Sequence, residues 1–248
     1  MSGSSWLSLL LGVIVLACDY PRPPDVPDDD APAEAGIPID ADGSAIDANG
    51  PAIDGAPVDG RPVLALNCTT YCDTIQAACT GANAQYPDSA HCTGTCNLFT
   101  PGASTTETMG DTLGCRIYHA QNATLMAGAA STHCPHAGPV GAASDAATGV
   151  CSTDPCSAFC ALDVKVCGTD DAPVVGISNR YANLGACMTA CAAFAKTPPY
   201  SATSPSGNTF ACRIYHVTNA AAAASQANSA LVNTHCGHTL SPATAVCQ

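Results

Sequence analysis

The chain has 248 residues, 17 cysteines and a net charge of −13, a composition typical of exported proteins that depend on disulfides. Only 5% of the residues are aromatic, so we expect small cores that disulfides supplement. The seven lysines and arginines form no basic cluster, which argues against a nucleic-acid partner.

The first 18 residues have the pattern of an export signal. The apolar stretch from Trp6 to Ala17 is shorter than the ~20 residues that a membrane-spanning helix needs, and it is typical of a secretory signal peptide. It ends in Val15-Leu16-Ala17-Cys18, which resembles the lipobox of bacterial lipoproteins. The resemblance implies that Cys18 is lipidated and becomes the mature N-terminus. The segment Met1–Ser5 lacks the usual Lys or Arg, so an ordinary cleaved signal peptide is the alternative.

Residues 19–66 are predicted to form a disordered, acidic linker. The segment is rich in Pro, Asp, Ala and Gly, and eleven of the 20 acidic residues lie between Asp19 and Asp59. It contains no Phe or Trp, so it cannot bury enough apolar surface to offset the entropy of the chain. Its loose repeats at Ile39–Gly43 and Ile46–Gly50 lack the closing Glu of a calcium loop, which favours a spacer.

The rest of the chain is a tandem repeat, with one domain at 67–151 and the other at 152–248. The pentapeptide CRIYH occurs at Cys115–His119 and again at Cys212–His216, and eight cysteines run in the same order through both halves. The first set is Cys68, Cys72, Cys79, Cys92, Cys96, Cys115, Cys134 and Cys151; the second is Cys156, Cys160, Cys167, Cys187, Cys191, Cys212, Cys236 and Cys247.

Two CxxxC segments in each repeat predict a helical hairpin. Cysteines four residues apart share one face of a helix, so two such helices in antiparallel contact can be joined twice. The predicted pairs are Cys68 with Cys96 and Cys72 with Cys92, and the second repeat has the same pattern in Cys156, Cys160, Cys187 and Cys191. The spacing resembles that of the small twin-CxxxC chaperones of the mitochondrial intermembrane space, and the resemblance concerns spacing only.

Asp88 or Ser89 is predicted to cap the second helix of the first hairpin. A third helix is predicted to follow each hairpin, capped by Asp111 in the first repeat and by Asn208 in the second. It should end near the second repeated histidine, before a loop. The remaining predicted pairs are Cys134 with Cys151, Cys236 with Cys247, Cys79 with Cys115 and Cys167 with Cys212. The expected fold class is therefore all-α and disulfide-rich, with two small helical domains that each fold independently.

Three histidines of each repeat stand in register. They are His119, His133 and His136 in the first repeat and His216, His235 and His238 in the second. Three imidazoles match the ligand count of a zinc or copper site. The alternative is a structural role, in which the rings pack on disulfides and bind backbone carbonyls. We expect the structural outcome, with the imidazoles pointing apart or bound to the backbone, because one histidine lies on a helix and the other two lie beside a disulfide.

The sequence contains no motif that indicates catalysis. GxSxG, HExxH and CxxCH are absent, so we expect neither an enzyme nor a covalently bound c-type haem. The predicted function is that of an envelope lipoprotein, anchored to the membrane by lipid, which presents two domains for binding, adhesion or scaffolding with a protein or glycan ligand. The alternative is a domain pair that binds a zinc or copper ion, or haem, in metal handling or electron transfer.

Overall fold

The computed structural model describes residues 62–125, 128–243 and 246–248. The predicted signal, Cys18 and all but the last residues of the predicted linker lie outside these ranges. Within them, none of the helices has the length and apolar character needed to cross a membrane.

The described part of the chain is all-helical, which confirms the predicted fold class. The first repeat contains α1 (Cys68–Ala78), α2 (Ser89–Cys96), α3 (Leu113–Asn122) and α4 (Ala129–Ala137). The second contains α5 (Pro155–Cys167), α6 (Leu184–Ala193), α7 (Phe210–Ser225) and α8 (Ser229–Thr239). A single 3-10 turn at Gly81–Asn83 lies between α1 and α2. Each repeat therefore has four helices, one more than the sequence predicts.

Short polar side chains fix where the helices begin. Asp88 caps α2, as predicted, because its carboxylate accepts hydrogen bonds from two amides of the first turn. The caps of α3 and α7 are Thr112 and Thr209, whose hydroxyls accept from first-turn amides at 3.1 and 3.2 Å. Asp111 and Asn208, the predicted caps, lie one residue too early, and their side chains bind a buried arginine instead.

The sixteen cysteines of the two repeats form eight disulfides. The pairs are Cys68–Cys96, Cys72–Cys92, Cys79–Cys134, Cys115–Cys151, Cys156–Cys191, Cys160–Cys187, Cys167–Cys236 and Cys212–Cys247. The four pairs within the CxxxC hairpins agree with the prediction. The other four predicted pairs are wrong: Cys134 with Cys151, Cys236 with Cys247, Cys79 with Cys115 and Cys167 with Cys212.

The unpredicted fourth helix is the reason for the different pairing. The sequence of α4 contains Pro135, and α8 is rich in residues of low helix propensity, so neither segment has a strong helical pattern. α4 carries Cys134 on its buried side to Cys79, at the end of α1. The chain after α4 then returns to the first turn of α3 and brings Cys151 to Cys115. The second repeat has the same arrangement.

The two repeats pack against each other through α2 and α7. A Cβ atom added at Gly94 in α2 would lie 2.6 Å from the carbonyl oxygen of Ala221 in α7, so the two backbones are in direct contact. Tyr200 of the second repeat is buried, and its hydroxyl donates to the carbonyl of Gln85 in the first at 2.8 Å. Its amide donates to the hydroxyl of Ser144 at 2.8 Å. These contacts argue against the expectation that each repeat folds independently.

Candidate metal centre

A pair of adjacent helices in each repeat brings the three registered histidines together. In the first repeat α3 carries His119, and α4 carries His133 and His136, three residues apart and therefore on one side of the helix. In the second repeat α7 and α8 carry the matching residues. The histidine of the third helix is buried and the other two are half-buried. In each cluster the candidate ligand atoms all lie within 4.8 Å of one another.

The first cluster is organised around His119. Its Nδ1 lies 2.9 Å from Nδ1 of His133, and its Nε2 lies 3.1 Å from the carbonyl oxygen of Thr108. A carbonyl oxygen only accepts, so Nε2 carries the hydrogen and donates it; in the neutral ring Nδ1 then presents its lone pair to the cluster. Nδ1 of His136 is buried and has no hydrogen-bond partner within the described part of the chain.

The second cluster repeats this geometry around His216. Its Nδ1 lies 3.0 Å from Nδ1 of His235 and 3.2 Å from Nδ1 of His238. Its Nε2 donates to the carbonyl oxygen of Pro205 at 3.1 Å. Three Nδ1 atoms therefore converge in the second repeat.

The imidazoles converge, so the expectation that they point apart is wrong, whereas the expected bond to the backbone is present for His119 and His216. The wrong expectation assumes that a loop follows the third helix and that a disulfide holds this loop away from His119. The segment is a helix, and its disulfide to the end of α1 fixes that helix against α3 so that both of its histidines face His119. The disulfide therefore orients the histidines towards one another.

Burial favours the neutral form of five of the six clustered imidazoles. Burial, with a smaller contribution from neighbouring imidazoles, lowers the pKa of His136, His216 and His235 to about 4. Burial also lowers the pKa of His119 and of His238 below the usual value. Neutral imidazole is the form that binds a metal ion, so the rings do not need to lose a proton at neutral pH.

Hydrogen bonds between the rings do not satisfy the second cluster. Nδ1 of His216 has one lone pair in the ring plane, and the Nδ1 atoms of His235 and His238 both approach it. One lone pair cannot accept two good hydrogen bonds at the same time. A cation accepts a lone pair from each of three rings, and a tetrahedral ion with bonds of about 2.0–2.1 Å holds its nitrogens about 3.3 Å apart. The two separations from Nδ1 of His216, 3.0 and 3.2 Å, are close to this value.

A buried arginine braces each pair of helices. Arg116 and Arg213 are the second residues of the CRIYH segments and precede His119 and His216 by one turn. Nε of Arg116 donates to the carbonyl of Gly138 just after α4, and Nε of Arg213 donates in the same way just after α8, each at 3.3 Å. The guanidinium groups also lie over phenylalanine rings, at 4.0 and 3.9 Å from the ring centres. Each arginine thus ties the third helix to the fourth.

The sequence identifies the six histidines, but it does not reveal that the two arginines brace the helices. Their recurrence at the same place in both CRIYH copies is the signal that could have identified them. The carbonyl acceptors of Thr108 and Pro205 could not be found in this way, because every residue has a backbone carbonyl. Sulfur atoms also lie close to His119 and His216, but they belong to the disulfides Cys115–Cys151 and Cys212–Cys247 and are not thiolates.

Residues 62–154 match the BfoA family C-terminal domain. The match covers less than half of the chain, and it contains the eight cysteines and the three registered histidines of the first repeat. No solved structure matches the chain. The first repeat is therefore similar to the C-terminal domain of the BfoA family, and the second repeat carries the same cysteine and histidine framework.

Proposed function

We propose that the protein binds two first-row transition-metal ions, zinc or copper, one in each repeat. The observation that carries the proposal is the convergence of three imidazoles in both repeats, on the same helices and with the same backbone partner for the central ring. Metal-binding histidines commonly donate their second ring nitrogen to a carbonyl, because this bond fixes the tautomer and the orientation of the ring.

The donor set favours a borderline metal. Three neutral nitrogens and no carboxylate suit zinc and copper, and do not suit calcium or magnesium, which prefer oxygen. For one site, copper(II) is expected to bind more tightly than zinc. Three protein ligands leave a fourth position for water or a ligand from outside. A site of this kind supports metal capture and transfer, the metal-handling alternative of the sequence analysis.

Haem is the less favoured cofactor. A haem iron is bound above or below a porphyrin plane, and that plane needs a flat cavity beside the ligand nitrogen. The ring centres of His216 and His238 lie 4.4 Å apart, with His235 at 5.2 Å from His216. Rings packed this closely leave no room for a porphyrin beside the nitrogens that face one another.

The disulfides and the N-terminal pattern support the proposed location. Eight disulfides fit an oxidising, extracytoplasmic location. We propose further that Cys18 carries a lipid anchor, so that the two metal sites act at the cell envelope; phase partitioning of a Cys18→Ser variant in detergent tests this anchor. A surface for a protein or glycan partner, the first expectation from the sequence, stays a prediction.

Metal analysis of purified protein tests the proposal. The oxidised chain, prepared without a histidine tag, is loaded with zinc or copper and freed of excess metal. The number of bound ions per chain is then measured by elemental mass spectrometry. We expect two ions per chain, one for each of the variants His119→Ala and His216→Ala, and none for the double variant. His91→Gln is the matched control, because His91 is outside the registered set and the glutamine amide can still donate to Asn219 Oδ1; both ions should stay bound.

Loss of both ions from either single variant would indicate unfolding, and the disulfide map and circular dichroism of each variant identify that case. Two ions retained by a folded double variant would refute the histidine sites. A folded wild-type protein that retains no ion would refute metal binding as the function.

A further inference from the structure

A lysine lies against one disulfide of the second repeat. The Nζ atom of Lys196 lies 3.1 Å from Sγ of Cys156 and 3.4 Å from Sγ of Cys191. It also donates to the carbonyl oxygen of Cys191 at 2.9 Å and lies 3.7 Å from the centre of the Phe210 ring. The carbonyl and the ring face hold the ammonium group in place beside the two sulfur atoms.

The two sulfur atoms differ in their access to solvent. Cys191 is fully buried, whereas Cys156 is half-buried. A thiolate that approaches from solvent therefore reaches Cys156 first. Thiol–disulfide exchange proceeds by attack along the line of the two sulfurs, so attack on Cys156 makes Cys191 the leaving group.

The first repeat contains a natural control for this arrangement. Cys68–Cys96 occupies the matching position, again with one half-buried and one buried cysteine. The residue that corresponds to Lys196 is Pro101, which has no amine. The two disulfides thus share their place in the fold and differ in the cation beside them.

We propose that Cys156–Cys191 is an exchange-active disulfide, and that Cys156 is its site of modification by low-molecular-weight thiols such as glutathione. The thiolate of the small molecule attacks Sγ of Cys156, and a new sulfur–sulfur bond forms there. The bond between Cys156 and Cys191 breaks, and its electron pair leaves on Sγ of Cys191 as a thiolate. A second small-molecule thiolate then attacks the sulfur of the first, and a bond forms between the two small molecules. The bond to Cys156 breaks and its electron pair leaves on Sγ of Cys156, which yields two reduced cysteines and one oxidised disulfide of the small thiol.

Lys196 promotes the step by stabilising its leaving group. The ammonium group lies within contact distance of Cys191 Sγ, so negative charge that develops there is offset at once. Burial lowers the pKa of Lys196 to about 8, and the nearby Asp154 counteracts the shift in part, so the amine is mostly protonated at neutral pH. A leaving thiol of lower pKa departs faster.

The experiment follows both disulfides in the same oxidised, full-length protein. The protein is incubated with reduced glutathione at neutral pH without denaturant, quenched with acid and alkylated, and its peptides are then analysed by mass spectrometry. We expect glutathione on Cys156 and alkylated Cys191 to appear about tenfold faster than modification of Cys68 or Cys96. Equal rates at the two disulfides would overturn the proposal.

Two variants separate the charge of Lys196 from its packing. Lys196→Met keeps the length of the side chain without the charge, and we expect the rate at Cys156 to fall to that at Cys68. Lys196→Arg keeps a cation and should retain most of the difference. Lys165→Met, which removes the other lysine of the chain, is the control and should change nothing. If Lys196→Met only destabilised the hairpin, reduction of Cys156–Cys191 would become faster, which is opposite to the predicted change. A rate of modification at Cys156 that equals or exceeds that of the wild type therefore counts against the proposal.

Discussion

At the scale of single residues, Asp163 is a fully buried carboxyl group without an ion-pair partner among the described residues. It lies on α5 with both carboxyl oxygens buried and without a hydrogen-bond partner among the described residues. Ile75 takes the same position relative to the CxxxC segment in the first repeat. Burial raises the pKa of Asp163 from 3.8 to about 7, because the charged form loses its hydration.

We predict that Asp163 makes the stability of the protein depend on pH. Its folded pKa lies above its unfolded pKa, so its favourable contribution is complete below pH 3.8 and is lost as the pH rises to about 7. Over that interval the wild type should lose up to about 4 kcal/mol of unfolding free energy relative to Asp163→Asn. Denaturant unfolding of both metal-free, oxidised proteins at several pH values measures the difference. Parallel pH profiles of the two proteins would exclude this role for the carboxyl group.

The histidines illustrate what single residues reveal in a sequence. The register of the two repeats was enough to select the six histidines, because the same residues recur at matched places. It was not enough to predict their convergence, since that depends on the fourth helix and its disulfide, and on carbonyl groups such as Thr108 O that orient the central ring.

At the scale of elements, the approach of α2 to α7 depends on Gly94. The position has no room for a side chain, because the nearest atoms belong to the backbone of Ala221 and Ala222 and cannot rotate away. Helices come this close only where one of them presents a glycine or another small residue. The matching residue of the second repeat is Thr189, which is exposed, so the contact is specific to the junction of the repeats.

Gly94→Ala is expected to destabilise the protein by about 1–3 kcal/mol, because the added methyl group forces α2 away from α7. Gly185→Ala on α6 is the control, since the only atom within 4 Å of its added Cβ is Asn183 Oδ1, at 3.3 Å. That variant should be neutral, or more stable by up to about 1 kcal/mol through helix propensity. The free energy of unfolding of each oxidised variant, from denaturant titration, distinguishes the two. Equal effects would show that α2 and α7 do not require close contact.

Some helices and disulfides could be predicted from the sequence, and others could not. The CxxxC spacing determines the hairpin disulfides, because a four-residue step on two helices leaves few alternatives. The fourth helix could not be predicted in the same way, since Pro135 and a run of weak helix formers obscure it. Without that helix, Cys79 and Cys134 have no reason to meet, and the spacing of the other cysteines does not determine their pairing.

At the scale of the whole molecule, the repeats share a buried boundary. Tyr200 reaches from the second repeat to the carbonyl of Gln85 in the first, and Ala202 N donates to the carbonyl of Ala84 at 2.7 Å. Nε2 of His91 donates to Asn219 Oδ1 at 3.0 Å across the same boundary. The duplication visible in the sequence predicts two similar units, but not that they pack together, because the contacts involve residues that differ between the repeats.

This boundary predicts one cooperative unfolding transition for the oxidised chain. Each repeat would expose part of its core if the other unfolded first. Hydrogen exchange at increasing denaturant, read from peptides of each repeat by mass spectrometry, should give coinciding midpoints for residues 67–151 and 152–248. Tyr200→Ala should separate the midpoints. Two well-separated midpoints in the wild type would show that the repeats are independent domains.

The central claim is that each repeat holds one metal ion between three histidines. Anomalous diffraction at the zinc edge from crystals of the zinc-loaded protein tests it most directly. We predict two peaks per chain, each about 2.0–2.1 Å from Nδ1 of three rings, one set being His119, His133 and His136 and the other His216, His235 and His238. Peaks elsewhere on the surface, with both histidine clusters free of anomalous signal, would contradict the account.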